Sequence, residues 1–347
     1  MGMKKVLVAM SGGVDSSVAA LLLQRQGYEV AGATFELFDG CPEKNVEDAR
    51  AICQQLNIPH HVLDYRTQFA SQVLDYFVGS YQRGETPNPC IACNRTIKFG
   101  AFCEDAQRLG YTHISTGHYA GVRFDAISGG YQLVRSTQER KDQSYVLYHL
   151  TQQQLGMLLL PIDCYTKEQV RAFAADAGLP VSSKSDSQDI CFVPDGDYVS
   201  FITQYTKQAP QAGAYLDDDG QVLGQHKGVL HYTIGQSRGL GIALGKRRYV
   251  SHLDPVHNTV TLSDEERVFS DTLYADDLCL IAGEGLKGPL HCQAKIRYAH
   301  RPAPAVVRPL EDGRVEVRFE TPQRAITRGQ AVVFYQGEVV LGGATIC

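Results

Sequence analysis

The sequence predicts an α/β domain on a mainly parallel sheet, then a small central domain, then a C-terminal antiparallel β domain, either a barrel or a sandwich. Three observations predict it. Short apolar runs alternate with helix-length segments through the first half of the chain. After about residue 195 the texture changes to short strands punctuated by Asp/Gly turns. At 347 residues the chain has room for roughly two to three domains of about 100–200 residues each.

Residues 5–10 form a short apolar strand, and residues 16–26 carry apolar positions at helical spacing. Residues 29–35 read as a second strand, 46–56 as a helix, 60–63 as a third strand and 68–82 as a helix. Residues 96–109 predict a helix and 112–116 a strand, which completes a series of βαβ units. A further helix over 167–177 is stopped by Gly178 and Pro180. Later strands are expected at 248–253, 259–262 and 315–319, and a hairpin at 331–335 and 339–346 around Gln336-Gly337. The predicted divisions are 1–197, 198–270 and 271–347.

Composition narrows the class. With 44% hydrophobic and 20% charged residues the chain is ordinary globular protein. No window approaches the ~18 uncharged apolar residues of a membrane helix. The start runs straight into a strand without a signal-peptide core, and Val6 breaks the myristoylation pattern. Ten cysteines are too few for a disulfide scaffold and point to a reducing, cytoplasmic setting. Thirty-three basic against 38 acidic side chains exclude a protein that merely coats nucleic acid. Any such contact must be a local patch. One candidate is the stretch 295–328, with eight Lys/Arg (Lys295, Arg297, Arg301, Arg308, Arg314, Arg318, Arg324 and Arg328) against four acids. It fits phosphate contact with Tyr298 as a stacking ring, or else a solvated sheet face.

Two motifs carry chemistry. Ser11-Gly12-Gly13-Val14-Asp15-Ser16-Ser17 stands between the first strand and the first helix. Glycines there let backbone N–H groups approach an anion, and the helix N-terminus adds its positive end. Asp15 could hold Mg²⁺ or cap the helix. The Gly-Lys-Ser/Thr ending of a Walker loop and the Gly-x-Gly-x-x-Gly fingerprint are both absent. The heptapeptide matches the pyrophosphatase-type loop of enzymes that split ATP into AMP and pyrophosphate. The second motif is Thr86-Pro87-Asn88-Pro89-Cys90-Ile91-Ala92-Cys93-Asn94, a stiff loop before a helix expected to begin near Arg95. A thiol near a helix N-terminus has its thiolate favoured, so Cys93 is expected to be nucleophilic. Structural zinc is disfavoured, because no second Cys-x-x-Cys or paired His stands at finger spacing. Cys191, in Ile190-Cys191-Phe192, is the second candidate thiol.

These motifs stand in order with Ile97-Lys98-Phe99, Thr116-Gly117-His118-Tyr119, Lys141-Asp142-Gln143-Ser144-Tyr145, Gly235-Gln236-Ser237-Arg238-Gly239-Leu240-Gly241 and Leu341-Gly342-Gly343. Together they resemble the tRNA-specific 2-thiouridylase family, bacterial wobble-uridine thiolases, over essentially the whole chain. The resemblance implies an adenine nucleotide alpha hydrolase-like ATP domain with a PP-loop and a C-terminal β-barrel that binds tRNA. It implies ATP-dependent 2-thiolation of the wobble uridine, U34, through adenylation of its C2 oxygen and sulfur transfer from a cysteine persulfide. Ala9, Met10, Ser11, Gly12, Gly13, Val14, Asp15 and Ser16 would bind the ATP phosphates, and Phe35 and Gly117 would line the adenine and ribose pocket. Cys93 would be the nucleophile and Cys191 the persulfide carrier. Asn88, Pro89 and Cys90 would face the target base, while His118, Lys141, Asp142, Gln143, Arg297, Tyr298 and Gln330 would touch the tRNA. The implied cofactors are ATP and Mg²⁺, and the implied partners are tRNA and a sulfur-donor protein (a cysteine desulfurase or relay protein), with no DNA and no membrane.

One departure matters. Many members of the family carry Asp, a proposed acid/base, where this chain has Cys90. Cys90, Cys93 and Cys191 could instead ligate a [4Fe–4S] cluster with one open iron. Persulfide and cluster routes therefore compete. Two rivals stand outside them: an ATP-splitting amide or guanidino ligase, which would not need Cys93 and Cys191, and a nucleotide-gated RNA-binding protein without chemistry.

Overall fold

The computed structural model describes residues 4–40, 43–181 and 190–347. Cys41 and the residues 186–189 that precede Ile190 lie outside the described residues. The first four strands, β1 (Lys5–Ala9), β2 (Glu29–Glu36), β3 (His60–Asp64) and β4 (His113–Ser115), pair in parallel. A hairpin follows, β5 (Ala120–Asp125) and β6 (Gly130–Arg135), and then the two-residue β7 (Leu158–Leu159) on β4. The parallel sheet has the order β3-β2-β1-β4-β7.

β1 reads as an unbroken apolar run because both its faces are covered. Val6 and Val8 face one cluster with Val18, Leu22 and Ile52, while Leu7 faces another with Phe69, Phe77, Ile97 and Phe102. The first cluster is supplied by helices Val14–Arg25 and Glu43–Gln55. The second is supplied by the helical run Arg66–Phe69, Ala70–Leu74 and Asp75–Gln82, and by a second run from Pro89 to Arg108. Each fully buried Phe contributes roughly 1.5–3 kcal/mol of transfer free energy.

The second run corrects the expectation of a loop ending near Arg95. The helix begins at Pro89, with Asn88 as its N-cap accepting from Ile91 N at 3.3 Å. Proline at the first helical position loses nothing, because that N–H has no helical partner.

The central unit is a four-stranded sheet of β8 (Gly213–Leu216), β9 (Val222–His226), β10 (Tyr249–Asp254) and β11 (Thr259–Ser263) in the order β10-β11-β8-β9. It closes over its own core of Tyr215, Val250, Val260 and Leu262. Beyond it come β12 (Phe269–Leu280), β13 (Leu290–Lys295), β14 (Ala303–Pro309), β15 (Val315–Arg324), β16 (Ala331–Gln336) and β17 (Val339–Ile346). β12 pairs with both β15 and β17, so these strands form a closed antiparallel barrel and not a sandwich. The expected tail hairpin is present as β16 and β17.

The hairpin β5–β6 extends the barrel sheet. Val134 pairs with Val339 and Leu133 with Val340, so one edge of β17 serves β6 near its start and β12 near its end. Barrel residues Val333, Tyr335 and Val340 accordingly share a core with Phe69 and Tyr145. Among the described residues no helix is long and apolar enough to cross a membrane.

Candidate active site

β2 lies on one side of β1 and β4 on the other, so the crevice beyond the C-terminal ends of β1 and β4 is a topological switch point, where open α/β sheets bind ligands. The loop of Ser11, Gly12 and Gly13 leaves β1 at that crevice. Gly12 has φ +67°, and a Cβ there would stand 2.7 Å from Asn45 O. Gly13 is the N-cap of helix Val14–Arg25, with no side-chain cap. The helix therefore presents its first amides and its positive dipole end toward the crevice. Ser16 Oγ lies 3.2 Å from both Ser11 N and Gly13 O, and Ser17 Oγ donates to Gly13 O at 2.7 Å. Behind the loop, Met10 N donates to Ala33 O at 2.7 Å and Thr34 Oγ1 donates to Met10 O at 3.0 Å.

Gly117 follows β4 and backs directly onto this loop. A Cβ at Gly117 would lie 2.7 Å from Ser16 N. Phe35, at the end of β2, packs edge-on against Tyr65 and Phe102 at 5.2 and 4.9 Å. Asp15 neither caps the helix nor points at solvent alone. Its carboxylate takes Lys167 Nζ at 2.8 Å and the Tyr119 hydroxyl at 2.9 Å. Lys167 and Tyr119 were not foreseen as partners of Asp15, since both reach it from distant parts of the chain, although Tyr119 closes the Thr116–Tyr119 motif.

The helix Pro89–Cys93 changes the reading of the thiols. Cys90 is near the helix N-terminus and exposed, whereas Cys93 is at the fifth helical position and 7% exposed. Burial pushes the Cys93 thiol up to about 11, with Cys90 adding to the rise and Lys98 opposing it. The expected activation of Cys93 by a helix N-terminus is thus not its environment here. His118 bonds Thr116 Oγ1 through Nδ1 at 2.7 Å and leans on Phe99. Burial and then Lys98 hold His118 well below the usual imidazole range, so the ring is neutral at pH 7. Cys191 is exposed, and its neighbour Phe192 packs against Phe69, Phe77 and Phe201 in the core that also holds Cys93.

The residues expected at the RNA contact converge from both ends of the chain. Gln330 Nε2 donates to Thr86 O at 2.7 Å, and Thr86 N donates to Arg328 O at 2.8 Å, tying the barrel to the segment before Asn88. Tyr298 is 43% exposed and lies within electrostatic reach of Cys90. Arg297 donates to Arg324 O at 3.2 Å. Lys141 lies within electrostatic reach of Glu168. Asp142 is buried, accepting from Ser136 N and Ser144 N at 3.1 Å, from the Ser144 hydroxyl at 3.0 Å and from Arg135 at 3.3 Å. Gln143 exchanges bonds with Tyr119, its Oε1 accepting from Tyr119 N at 2.9 Å. Asp142 and Gln143 thus hold their segment against the fold. The basic excess of 295–328 is also divided, since Arg308, Arg314 and Arg324 pair with Glu316, Asp312 and Glu265.

Among the described residues no group of at least three His, Cys, Asp or Glu side chains, Cys90, Cys93 and Cys191 included, is gathered in this structure in a way that could hold a metal ion.

The family model described as the tRNA methyl transferase HUP domain matches residues 4–195. The aminomethyltransferase β-barrel model matches 270–346, and the tRNA methyl transferase PRC-barrel model matches 199–264. Among curated relatives, "tRNA-specific 2-thiouridylase MnmA" of Acetivibrio thermocellus is 49% identical over 100% of this chain and 100% of its own. The chain belongs to the tRNA-specific 2-thiouridylase family. Relatives of the same name from Desulfitobacterium hafniense and Clostridioides difficile are 48% and 45% identical, each covering 99% of this chain and 98% of theirs. Membership in the 2-thiouridylase family accounts for the phosphate loop, the cysteine helix and the barrel occurring in one polypeptide.

Proposed function

We propose that the protein is an ATP-dependent tRNA-uridine 2-sulfurtransferase that thiolates the wobble uridine, U34. The observation that carries this reading is full-length identity of 45–49% to proteins named for that activity. The uncapped helix start beyond β1 supports the ATP step. Residues Ala9 to Ser16 would cradle the phosphates, Mg²⁺ arriving on the nucleotide, and Phe35 and Gly117 would bound the adenosine. The uridine C2 oxygen would attack the α-phosphate, and pyrophosphate would leave.

Sulfur would arrive on Cys191 as a persulfide from a donor protein such as a cysteine desulfurase or relay protein. The Cys93 thiolate would attack the inner sulfur of that persulfide, forming a Cys93–Cys191 disulfide and releasing hydrosulfide. Hydrosulfide would add at C2 and expel AMP, giving 2-thiouridine, and a dithiol reductant would restore both cysteines. No step passes through an iron–sulfur cluster. Asn88, Pro89 and Cys90 would face the base, and His118, Lys141, Arg297, Tyr298 and Gln330 would contact the tRNA in a cytoplasmic setting. The divisions 1–197, 198–270 and 271–347 would serve ATP chemistry, bridging and tRNA binding.

Nucleoside mass spectrometry of tRNA treated with ATP and a persulfide donor tests the reading. Formation of 2-thiouridine at U34 with matching AMP and pyrophosphate is expected. Activity that survives Cys93→Ser or Cys191→Ser would overturn the sulfur route, and no thiolated product from the parent would overturn the function.

A further inference from the structure

Lys295, the last residue of β13, is 7% exposed. Its ammonium lies over the rings of Tyr145 and Tyr298, 5.5 Å from each centroid. An ammonium carries three donors and no acceptor. Among the described residues the Lys295 ammonium has no protein hydrogen-bond or ion-pair partner, and its nitrogen keeps some contact with solvent. Asp142 draws on its charge, but the Asp142 oxygens are occupied by Ser136, Ser144 and Arg135, and Arg135 repels Lys295. The Tyr145 hydroxyl is turned away to Ala331 O at 2.8 Å. Ring faces attract a cation without satisfying its N–H groups. Holding an ammonium in so little contact with water has a cost that methionine, of similar volume, would not carry, and the nitrogen remains reachable by an acceptor from solvent. Tyr298 is itself 43% exposed and lies within electrostatic reach of the exposed Cys90.

The geometry points to Lys295 as a positioning residue that donates to an acceptor oxygen of the nucleotide brought against Cys90, a phosphate oxygen or a base carbonyl. The inference rests on the proposed docking of tRNA at Asn88, Pro89 and Cys90. A donor-only group there also favours uridine, whose C4 position accepts, over cytidine, whose C4 amino group donates.

Full-length parent, Lys295→Met and Lys295→Arg are compared for tRNA binding across neutral to alkaline pH and several salt concentrations, with thermal melting alongside. Lys295→Met is expected to bind tRNA about ten-fold to a hundred-fold more weakly, the scale of one charge-assisted hydrogen bond, while melting no lower than the parent. Lys295→Arg should recover part of the affinity. Burial holds the Lys295 amine below the usual lysine range, so parent binding should weaken as pH rises through that lowered value. The groups facing it are Asp142, Arg135, Tyr145, Tyr298 and His300, with Cys90 within electrostatic reach of Tyr298. The comparison is therefore repeated in a Cys90→Ser background, where the pH-dependent loss should still vanish with Lys295→Met.

A salt slope reduced by about one unit would identify the acceptor as phosphate. An unchanged slope, with lost preference for U34 over C34, would identify it as a base carbonyl. Parent-like affinity and pH profile in Lys295→Met would overturn the inference. So would a lower melting temperature in Lys295→Met with Lys295→Arg restoring the melt but not the binding. If the parent binds tRNA but forms no 2-thiouridine, the proposed function fails while Lys295 is still judged by binding.

Discussion

Cys93 is a buried thiol on a helix, not an exposed one at a helix start. With its thiol pushed up to about 11, it is protonated at pH 7 and reaches thiolate only in strong alkali or when substrate rearranges its surroundings. Alkylation followed by peptide mapping should therefore label the exposed Cys90 well before Cys93 at neutral pH, and Cys93 should accelerate as pH rises. Equal labelling at pH 7 would contradict the burial. The same shift has a stability consequence. The folded value lies above the reference 9.0, so this contribution is complete below about pH 9 and is lost as pH rises toward 11. Urea midpoints of the parent should fall across that window, and less so for Cys93→Ala. Gly117 offers a second test. Gly117→Ala drives a methyl group into Ser16 N, 2.7 Å away, and should slow pyrophosphate release by about 100-fold while sparing tRNA affinity. The phosphate loop itself was readable from sequence because seven consecutive residues carry it. Its clamp was not, because Tyr119 and Lys167 meet Asp15 across separations of 104 and 152 residues.

At the scale of elements, the helix beginning at Pro89 was legible in principle. Asn88 is a strong N-cap type, and proline is favoured at the next position. Reading two prolines as a stiff loop placed the helix start near Arg95 and assigned the N-terminal field to the wrong cysteine. β1 was found because double burial leaves an uninterrupted apolar run, whereas β3, with no buried residue, was found from its place between helix-length segments. The hairpin β5–β6 was missed, since most of its residues are only partly buried or exposed and its outer partner, β17, lies far along the chain. The segment before the cysteine helix is held by the Gln330 bond to Thr86. Gln330→Leu keeps the volume and removes the bond, costing about 1 kcal/mol. Thiolation should drop several-fold while tRNA-independent ATP binding is unchanged. Equal loss of both would place the effect in global stability.

The whole molecule was foreseen as successive domains, and one hydrophobic core runs from the first into the last. Ile281, Val333, Tyr335 and Val340 of the C-terminal region pack in one cluster with Phe69, Phe102 and Tyr145. Arg95 also ion-pairs with Asp277, fastening the helical stretch after the cysteines to β12. Calorimetry should show the α/β unit and the barrel melting in one transition. A chain ending at residue 270 should expose apolar surface, read as dye binding, and should not retain the parent's near-ultraviolet circular dichroism. Two well-separated transitions would contradict this coupling. The sequence periodicity could not reveal it, because alternation reports which face of a strand is buried and not which neighbour buries it.

The shared edge of β17 also sets a timetable for synthesis. Val134 cannot find Val339 until the ribosome has made everything between them, roughly ten to forty seconds at ~5–20 residues per second. Throughout that interval β6 is an open strand edge, and the apolar side chains meant for Val333 and Val340 lack their cover. The nascent chain is thus a natural client for a chaperone, and premature termination inside β17 leaves both the hairpin and the barrel unsealed, a signal that quality-control proteases read.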